Sequence, residues 1–365
     1  MTNAASQPDL RPPPIRTGAA RGGVAAGGPR ELAPLRLGAV AIGFPVVQAA
    51  LSGYSDGPMR RVARRLGAPY VLAEVMLERF VRELKGRART AHHLRVTDEE
   101  HPVGGQLMGS EPAAFGPAAA RLVAAGFDVI DVNFGCPVRS AVGGCRGGFH
   151  LGQPDVALEI VQRVRDAVPP GIPVTLKMRR GLDDSPASRE RFFTILDGAL
   201  ARGVAAITVH GRTVAQGYAG PSDWDFLREV KAHAGAATIL GSGDLFDAQA
   251  CLDMLAHTGV DGVSVARGAI GNPWIFGQVR ALAAGLPLPV PDLAEQRRVM
   301  ELHCALCLDD LAGLPGDAAA ATLATMRMFA IKFAALHPEH AMVREAFATS
   351  RTLPAWRAEI GRAHV

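Results

Sequence analysis

Eight short apolar runs recur between residues 46 and 266, and amphipathic stretches separate them. The runs are Val46–Leu51, Tyr70–Val75, Pro102–Met108, Val129–Asn133, Pro173–Met178, Ala206–His210, Ala237–Gly241 and Gly262–Ala266. Helix-like segments lie between them at 58–65, 113–125, 156–167, 189–201, 223–234 and 248–256. Apolar strands alternating with helices argue for a parallel sheet with crossover helices covering its faces. Eight such units in roughly 230 residues are enough to close a ring, so the expected fold is α/β, a (β/α)8 TIM barrel. An open, doubly wound sheet is the competing arrangement.

The flanks read differently. Residues 1–40 are rich in Pro, Gly, Ala and Arg, including Pro12-Pro13-Pro14 and Gly27-Gly28, and read as a disordered tail. The barrel is assigned to residues 41–285. After Pro287-Leu288-Pro289-Val290-Pro291, residues 291–365 contain long helical patterns at 292–311 and 318–336, a shorter one at 339–347 and a short end. A C-terminal helical-bundle domain is expected there. Five cysteines, an odd number in a chain of 365 residues, do not make a disulfide framework and suit a reducing cytoplasm. The apolar stretch 37–51 is broken by Pro45 and Gln48 and is too short to span a bilayer, so no membrane is expected. Cys304 and Cys307 form a C-x-x-C beside His303, but no second pair completes a metal site, and core packing with no metal is the expectation. A formal charge of +4 neither demands nor opposes a nucleic-acid partner.

Functional residues of such barrels sit at the carboxyl ends of the strands. Polar residues collect there: Glu74, Gln106, Asn133 ahead of Gly135-Cys136-Pro137, Lys177 with Arg179, His210-Gly211-Arg212, Ser242-Gly243-Asp244 and Arg267-Gly268. The small residues of Gly241-Ser242-Gly243 and Ala266-Arg267-Gly268 suit a phosphate cradle, for a sugar phosphate or a flavin mononucleotide. Lysine occurs at only four positions (85, 177, 231 and 332), and Lys177 interrupts an apolar strand, where an unpaired charge is costly. It suits either the pyrimidine end of a flavin or the Schiff base of an aldolase. Cys136, in a Gly-Cys-Pro turn past a strand, is a candidate reactive thiol. Cys145 lies in the Gly-rich loop 143–148, a candidate lid.

Taken together the motifs resemble those of the flavin-dependent tRNA-dihydrouridine synthases. The resemblance rests on Asp131-Val-Asn-Phe-Gly-Cys-Pro-Val-Arg139, Val174-Thr-Leu-Lys-Met-Arg179, Val209-His-Gly-Arg-Thr213, Ser242-Gly-Asp244, and Arg267-Gly268 with Gly271-Asn-Pro-Trp-Ile-Phe276. It covers residues 45 to 280, and the helical tail fits the family's RNA-binding domain more loosely. The resemblance implies a bound FMN reduced by NADPH, hydride transfer to C6 of a uridine in RNA, tRNA being favoured, and protonation of C5 by Cys136. It further implies that Asn133 helps hold the uracil, that Gln106 and Lys177 meet the flavin ring, and that His210 meets the flavin tail. Gly243, Asp244 and Arg267, joined on backbone grounds by Ser242 and Ala266, fall at the phosphate. The resemblance also implies a contact of Leu51 and Ser52, in the first loop, with the flavin. Arg179, Arg212, Arg327 and Lys332 are candidate RNA phosphate contacts, and a monomeric cytoplasmic enzyme is expected.

This chain departs from the family pattern at Ala50-Leu51 (Pro-Met in the family), Ser140 (a basic residue), Phe149-His150 (small and apolar) and Ser242 (Asn). These positions line the expected mouth, so the choice of uridine, or of ribosomal over transfer RNA, is open at this level. Two other readings share the flavin or RNA residues: a small-molecule FMN barrel oxidoreductase, and a non-catalytic RNA-binding relative.

Overall fold

Side chains on a strand alternate between two faces, and here that parity separates core from site. The computed structural model describes residues 29–84 and 92–364. Two short strands, β1 (Leu35–Leu37) and β2 (Val40–Gly43), form an antiparallel hairpin. Eight further strands follow: β3 (Val46–Gln48), β4 (Val71–Leu77), β5 (Val103–Met108), β6 (Val129–Phe134), β7 (Val174–Arg179), β8 (Ala206–His210), β9 (Ile239–Ser242) and β10 (Gly262–Val265). They pair in parallel in sequence order, and β10 returns to β3, closing the barrel.

Outward residues such as Ile130, Val132 and Phe134 of β6, and Val174, Leu176 and Met178 of β7, join the main core with the surrounding helices. The opposite parity points Gln106, Asp131, Asn133, Thr175, Lys177, Arg179 and His210 into the barrel. Gly104 shares that inward parity, and glycine is needed there because a Cβ would collide with the Tyr70 hydroxyl and the Leu72 side chain. Helix starts follow from side-chain caps: Asp56, Ser185, Asp223 and Asp247 each accept a backbone N–H two or three positions into the following helix.

The expected tail through residue 40 needs correction. Leu35, Leu37 and Ile42 of the hairpin pack with Val47, Leu72, Val129 and Leu240, filling the amino-terminal end of the barrel. The Leu-Arg-Leu alternation at 35–37 is the strand signal that the Pro/Gly-rich context obscures. The expectation for residues 1–28 lies outside the described residues.

Four helices follow the barrel, Leu293–Leu311, Ala318–Phe333, His340–Thr349 and Leu353–Ala363, the last where only a short end was expected. They enclose a second core around Met326, Phe329, Phe347 and Trp356 that also takes in Met59 and Val62 from the first barrel helix, Gly57–Arg65. The buried Arg61 of that helix pairs with Asp310 at 2.6 Å, tying the two regions together. Among the described residues, the segment 318–336 is the one helical stretch long and apolar enough to cross a membrane by length and composition. Its Met326, Phe329, Ala330 and Phe333 are buried in this second core, which accounts for its hydropathy.

Candidate active site

The thiol at the barrel mouth is held by a single side chain. Asn133 Oδ1 accepts the backbone N–H groups of Gly135 (2.8 Å) and Cys136 (3.0 Å), so the end of β6 shapes the turn that carries Cys136. The Cys136 carbonyl accepts the Gly148 N–H at 3.0 Å, which fastens the far end of the glycine-rich loop to the same turn. Gly147 (φ +59°) completes the contact, since a Cβ there would stand 2.8 Å from Cys136 Cβ. His150, at one of the departures from the family pattern, is buried, and its Nε2 lies 2.8 Å from the Gly109 carbonyl. Burial holds its imidazole below the usual range, so it is neutral and ties this loop to the segment after β5. Cys136 is half-buried, Cys145 is exposed, and neither is in a disulfide.

A buried polar chain runs across the barrel below the thiol. Asn133 Nδ2 donates to Gln106 Oε1 (2.8 Å), Gln106 Nε2 to Asp131 Oδ2 (2.7 Å), and Thr175 Oγ1 to Asp131 Oδ1 (2.5 Å). Burial lifts the Asp131 carboxyl to about 6, against these two donors. An amide nitrogen has two N–H groups, so Gln106 and Asn133 each keep one for a ligand. Lys177, on the adjacent strand, forms no hydrogen bond or ion pair among the described residues. Burial pulls its amine down to about 8, with Arg179 adding to the effect and Asp131 opposing it. An inward ammonium without a partner is a costly arrangement unless an acceptor or anion arrives.

The opposite side of the mouth is built from the ends of β8, β9 and β10. Gly243 (φ +114°) lets the chain pass close to the neighbouring loop, for a Cβ there would lie 2.8 Å from Ser222 Cβ and 3.2 Å from His210 Cε1. His210 Nδ1 accepts the Arg212 N–H at 3.2 Å. Burial, then Lys177 and three arginines, keep the imidazole far below its usual range. The ring is therefore neutral with its proton on Nε2, a donor available to a ligand. The Arg267 guanidinium lies over the Tyr218 ring (4.7 Å to the centroid) and the Phe246 ring (4.9 Å), 3.9 Å from Asp244 Oδ1. Ser242 is buried at the end of β9, and Ala266 precedes the short turn of helix that starts at Arg267.

Several expected contacts are placed elsewhere. Arg179, expected on RNA, is 2% exposed and donates to the carbonyls of Gly135 (2.9 Å), Thr213 and Gly217 (both 2.7 Å), which makes it a clamp between loops. Arg212, at 3%, donates to the Gly220 carbonyl and to both oxygens of Asp244 (2.7 and 2.9 Å). Asp244 therefore spends its carboxylate on Arg212 and the Ser222 N–H rather than facing an anion. Arg212 Nη1 remains buried with no hydrogen-bond partner among the described residues. Leu51 packs against the second core, and Ser52 is exposed. Arg327 donates to the Ala348 carbonyl, joining two tail helices, and Lys332 lies beside the Gly271 turn, where a Cβ would be 2.8 Å from the Lys332 carbonyl. Asp131, Thr175 and Tyr218 belong to the site without having been assigned a part. Asp131 interrupts an apolar run as Lys177 does, which is the signal that could have found it.

The fold and these contacts define a (β/α)8-barrel protein with its chemistry at the carboxyl mouth, built around an anchored thiol and buried cations. A model of the dihydrouridine synthase (Dus) family matches residues 47–335. The chain belongs to that family. It is 33% identical over 276 residues to a probable tRNA-dihydrouridine synthase of Rickettsia conorii, covering 75% of this chain and 81% of the relative. It is 34% identical over 272 residues to tRNA-dihydrouridine synthase B of Xanthomonas campestris pv. campestris, covering 74% and 79%. Among solved structures, morphinone reductase superposes with a TM-score of 0.52 at 15% identity over 74% of this chain and 94% of its own. A 2-naphthoyl-CoA reductase gives a TM-score of 0.56 at 13% identity, covering 70% of this chain and 52% of that one. These two share the fold.

Proposed function

We propose that this protein reduces the C5–C6 double bond of uridine in tRNA, with FMN as resident cofactor, NADPH as reductant and Cys136 as proton donor. The observation that carries the reading is the juxtaposition of an anchored, solvent-reaching thiol with an inward lysine that has no hydrogen-bond or ion-pair partner among the described residues.

The residues present fit a flavin mononucleotide. Among the described residues Lys177 Nζ and Arg212 Nη1 have no hydrogen-bond partner, and an anionic cofactor with one acceptor at its ring and a phosphate at its tail would supply both. Lys177 and Gln106 would hold the ring, His210 Nε2–H the tail, and Arg267 with the backbone of 242–244 and 266 the phosphate. Reduced FMN supplies a hydride for C6 of the uracil.

The chain's own work is proton delivery and positioning. The Cys136 S–H gives its proton to C5, completing the reduction, and solvent at the half-buried sulfur restores it. Asn133 keeps that sulfur in place through two backbone N–H groups, with one N–H left for the uracil. The target base must leave its stack to enter, which favours loosely paired loop uridines. The tRNA assignment follows the names of the relatives. The helical region is the candidate RNA-binding domain, and a cytoplasmic monomer suits a tRNA-modifying enzyme with five unpaired cysteines.

The test is direct. Purified protein should be yellow and release FMN on denaturation, and with NADPH it should form dihydrouridine in tRNA lacking the modification. Colourless protein that still binds tRNA, or flavoprotein that leaves tRNA unchanged, would defeat the reading.

A further inference from the structure

The second core holds three ligand-type groups that the proposed reaction does not use. Asp56 comes from the loop after β3, and His303 and Cys307 lie one turn apart on the 293–311 helix. A carboxylate oxygen, a ring nitrogen and a sulfur from the three all lie within 4.8 Å of one another. Tetrahedral zinc, with bonds of about 2.0–2.3 Å, spaces its ligand atoms about 3.4–3.8 Å apart, so closing the cluster requires each pair to approach by at most about 1.0–1.4 Å.

His303 is the informative member. It is fully buried, and neither Nδ1 nor Nε2 has a hydrogen-bond partner among the described residues. Its ring stands edge-on to Phe329 at 4.4 Å. A neutral imidazole always carries one donor and one lone pair, and leaving each unmet costs on the order of 1–3 kcal/mol. A metal ion takes the lone pair.

The other two groups have room to serve. Asp56 uses Oδ1 to cap the Met59 N–H at 2.9 Å, which leaves Oδ2 for an ion. The Cys307 thiol meets Met326 Sδ at 4.0 Å, a weak contact that a stronger bond displaces. One thiolate, one imidazole and one carboxylate make a zinc-type donor set, too rich in N and S for calcium or magnesium. Two anionic ligands also neutralise a divalent cation, so the buried site carries no net charge.

Sequence alone reads Cys304 and Cys307 as a packing pair. The fold separates them: Cys307 is in the cluster, while Cys304 neighbours Arg357 and is outside it.

We propose that Asp56, His303 and Cys307 bind a zinc ion, with water as its fourth ligand, that clasps the first loop of the barrel to the helical region. Leu51 begins that same loop, so the ion would also fix one wall of the mouth against the helices.

The test uses the full-length protein, purified from zinc-supplemented medium and assayed for metal, then stripped and titrated with Co2+ alone. The expected result is one equivalent of zinc. Co2+ should give the visible bands of tetrahedral coordination and a thiolate-to-cobalt charge-transfer band. Cys307→Ser should abolish the charge-transfer band, and Asp56→Asn, which keeps the helix cap, should weaken Co2+ binding about tenfold to a hundredfold or more. Cys304→Ser should leave both spectrum and stoichiometry unchanged. Circular dichroism of each variant separates lost ligation from lost folding. Protein without stoichiometric zinc and without a tetrahedral cobalt spectrum overturns the proposal. So does a charge-transfer band that follows Cys304 instead of Cys307.

Discussion

Replacing Lys177 with methionine should make the flavin-free protein more stable, although it removes a residue central to the site. Burial lowers this amine from 10.5 to about 8. At about 1.4 kcal/mol per pH unit, keeping it charged in the folded protein at pH 7 costs roughly 3 kcal/mol. Between about pH 8 and 10.5 the unfolded chain binds more protons than the folded one, so stability rises with pH across that window. The penalty is full below about 8 and gone above 10.5. Urea denaturation of deflavinated wild type and Lys177→Met should therefore show the variant ahead by up to about 3 kcal/mol at neutral pH. Any apolar gain from methionine is independent of pH, so the part of the gap due to charge should close as pH approaches 10. Flavin retention should move the other way, with the variant losing most of its FMN on gel filtration. A variant less stable than wild type at every pH, still holding its flavin, would show that Lys177 is a satisfied structural charge and refute the placement.

Three further outcomes follow from the contacts. Gly147→Ala forces a side chain into a left-handed φ and against Cys136 Cβ, which should cost about 1–2 kcal/mol in thermal or urea unfolding. Displacing the thiol should also slow single turnover at least about tenfold, with flavin content unchanged. Arg212→Ala unpairs Asp244, so flavin content should fall while the salt dependence of tRNA binding stays as in wild type; a shallower salt slope would restore Arg212 to the RNA surface. For the wild type, log affinity for tRNA should fall linearly with log salt at about −0.7 to −0.9 per neutralised phosphate. Affinity independent of salt would remove RNA from the substrate list.

The barrel was legible because both of its signals are local. Apolar runs marked the strands and amphipathic stretches the helices between them, so observed elements such as Ala206–His210 match the expected ones. Parity then turned Gln106, Asn133, Lys177 and His210 inward together, which explains why the mouth could be assembled from sequence. The arginines were not legible in this way. Arg179 and Arg212 look like exposed cations in a one-dimensional reading, but the carbonyls that absorb them come from the 213–220 loop, whose path depends on tertiary packing. Asp56 with His303 and Cys307 was hidden for the same reason, because the ligands lie on elements far apart in the chain. The hairpin at 35–43 and the helix at 353–363 are short elements stabilised by what they cover, with little intrinsic signal.

The central claim is that Cys136 donates the proton. Prereduced enzyme mixed with tRNA in a single turnover, with flavin reoxidation followed by absorbance and dihydrouridine quantified in the product, isolates that step. Cys136→Ala should bind FMN and accept electrons from NADPH as wild type does, yet reoxidise on tRNA about 10²–10⁴-fold more slowly, while Cys145→Ala loses far less. Reoxidation of Cys136→Ala at the wild-type rate, with Cys145→Ala stalled, would contradict the account and move the acid to the other thiol.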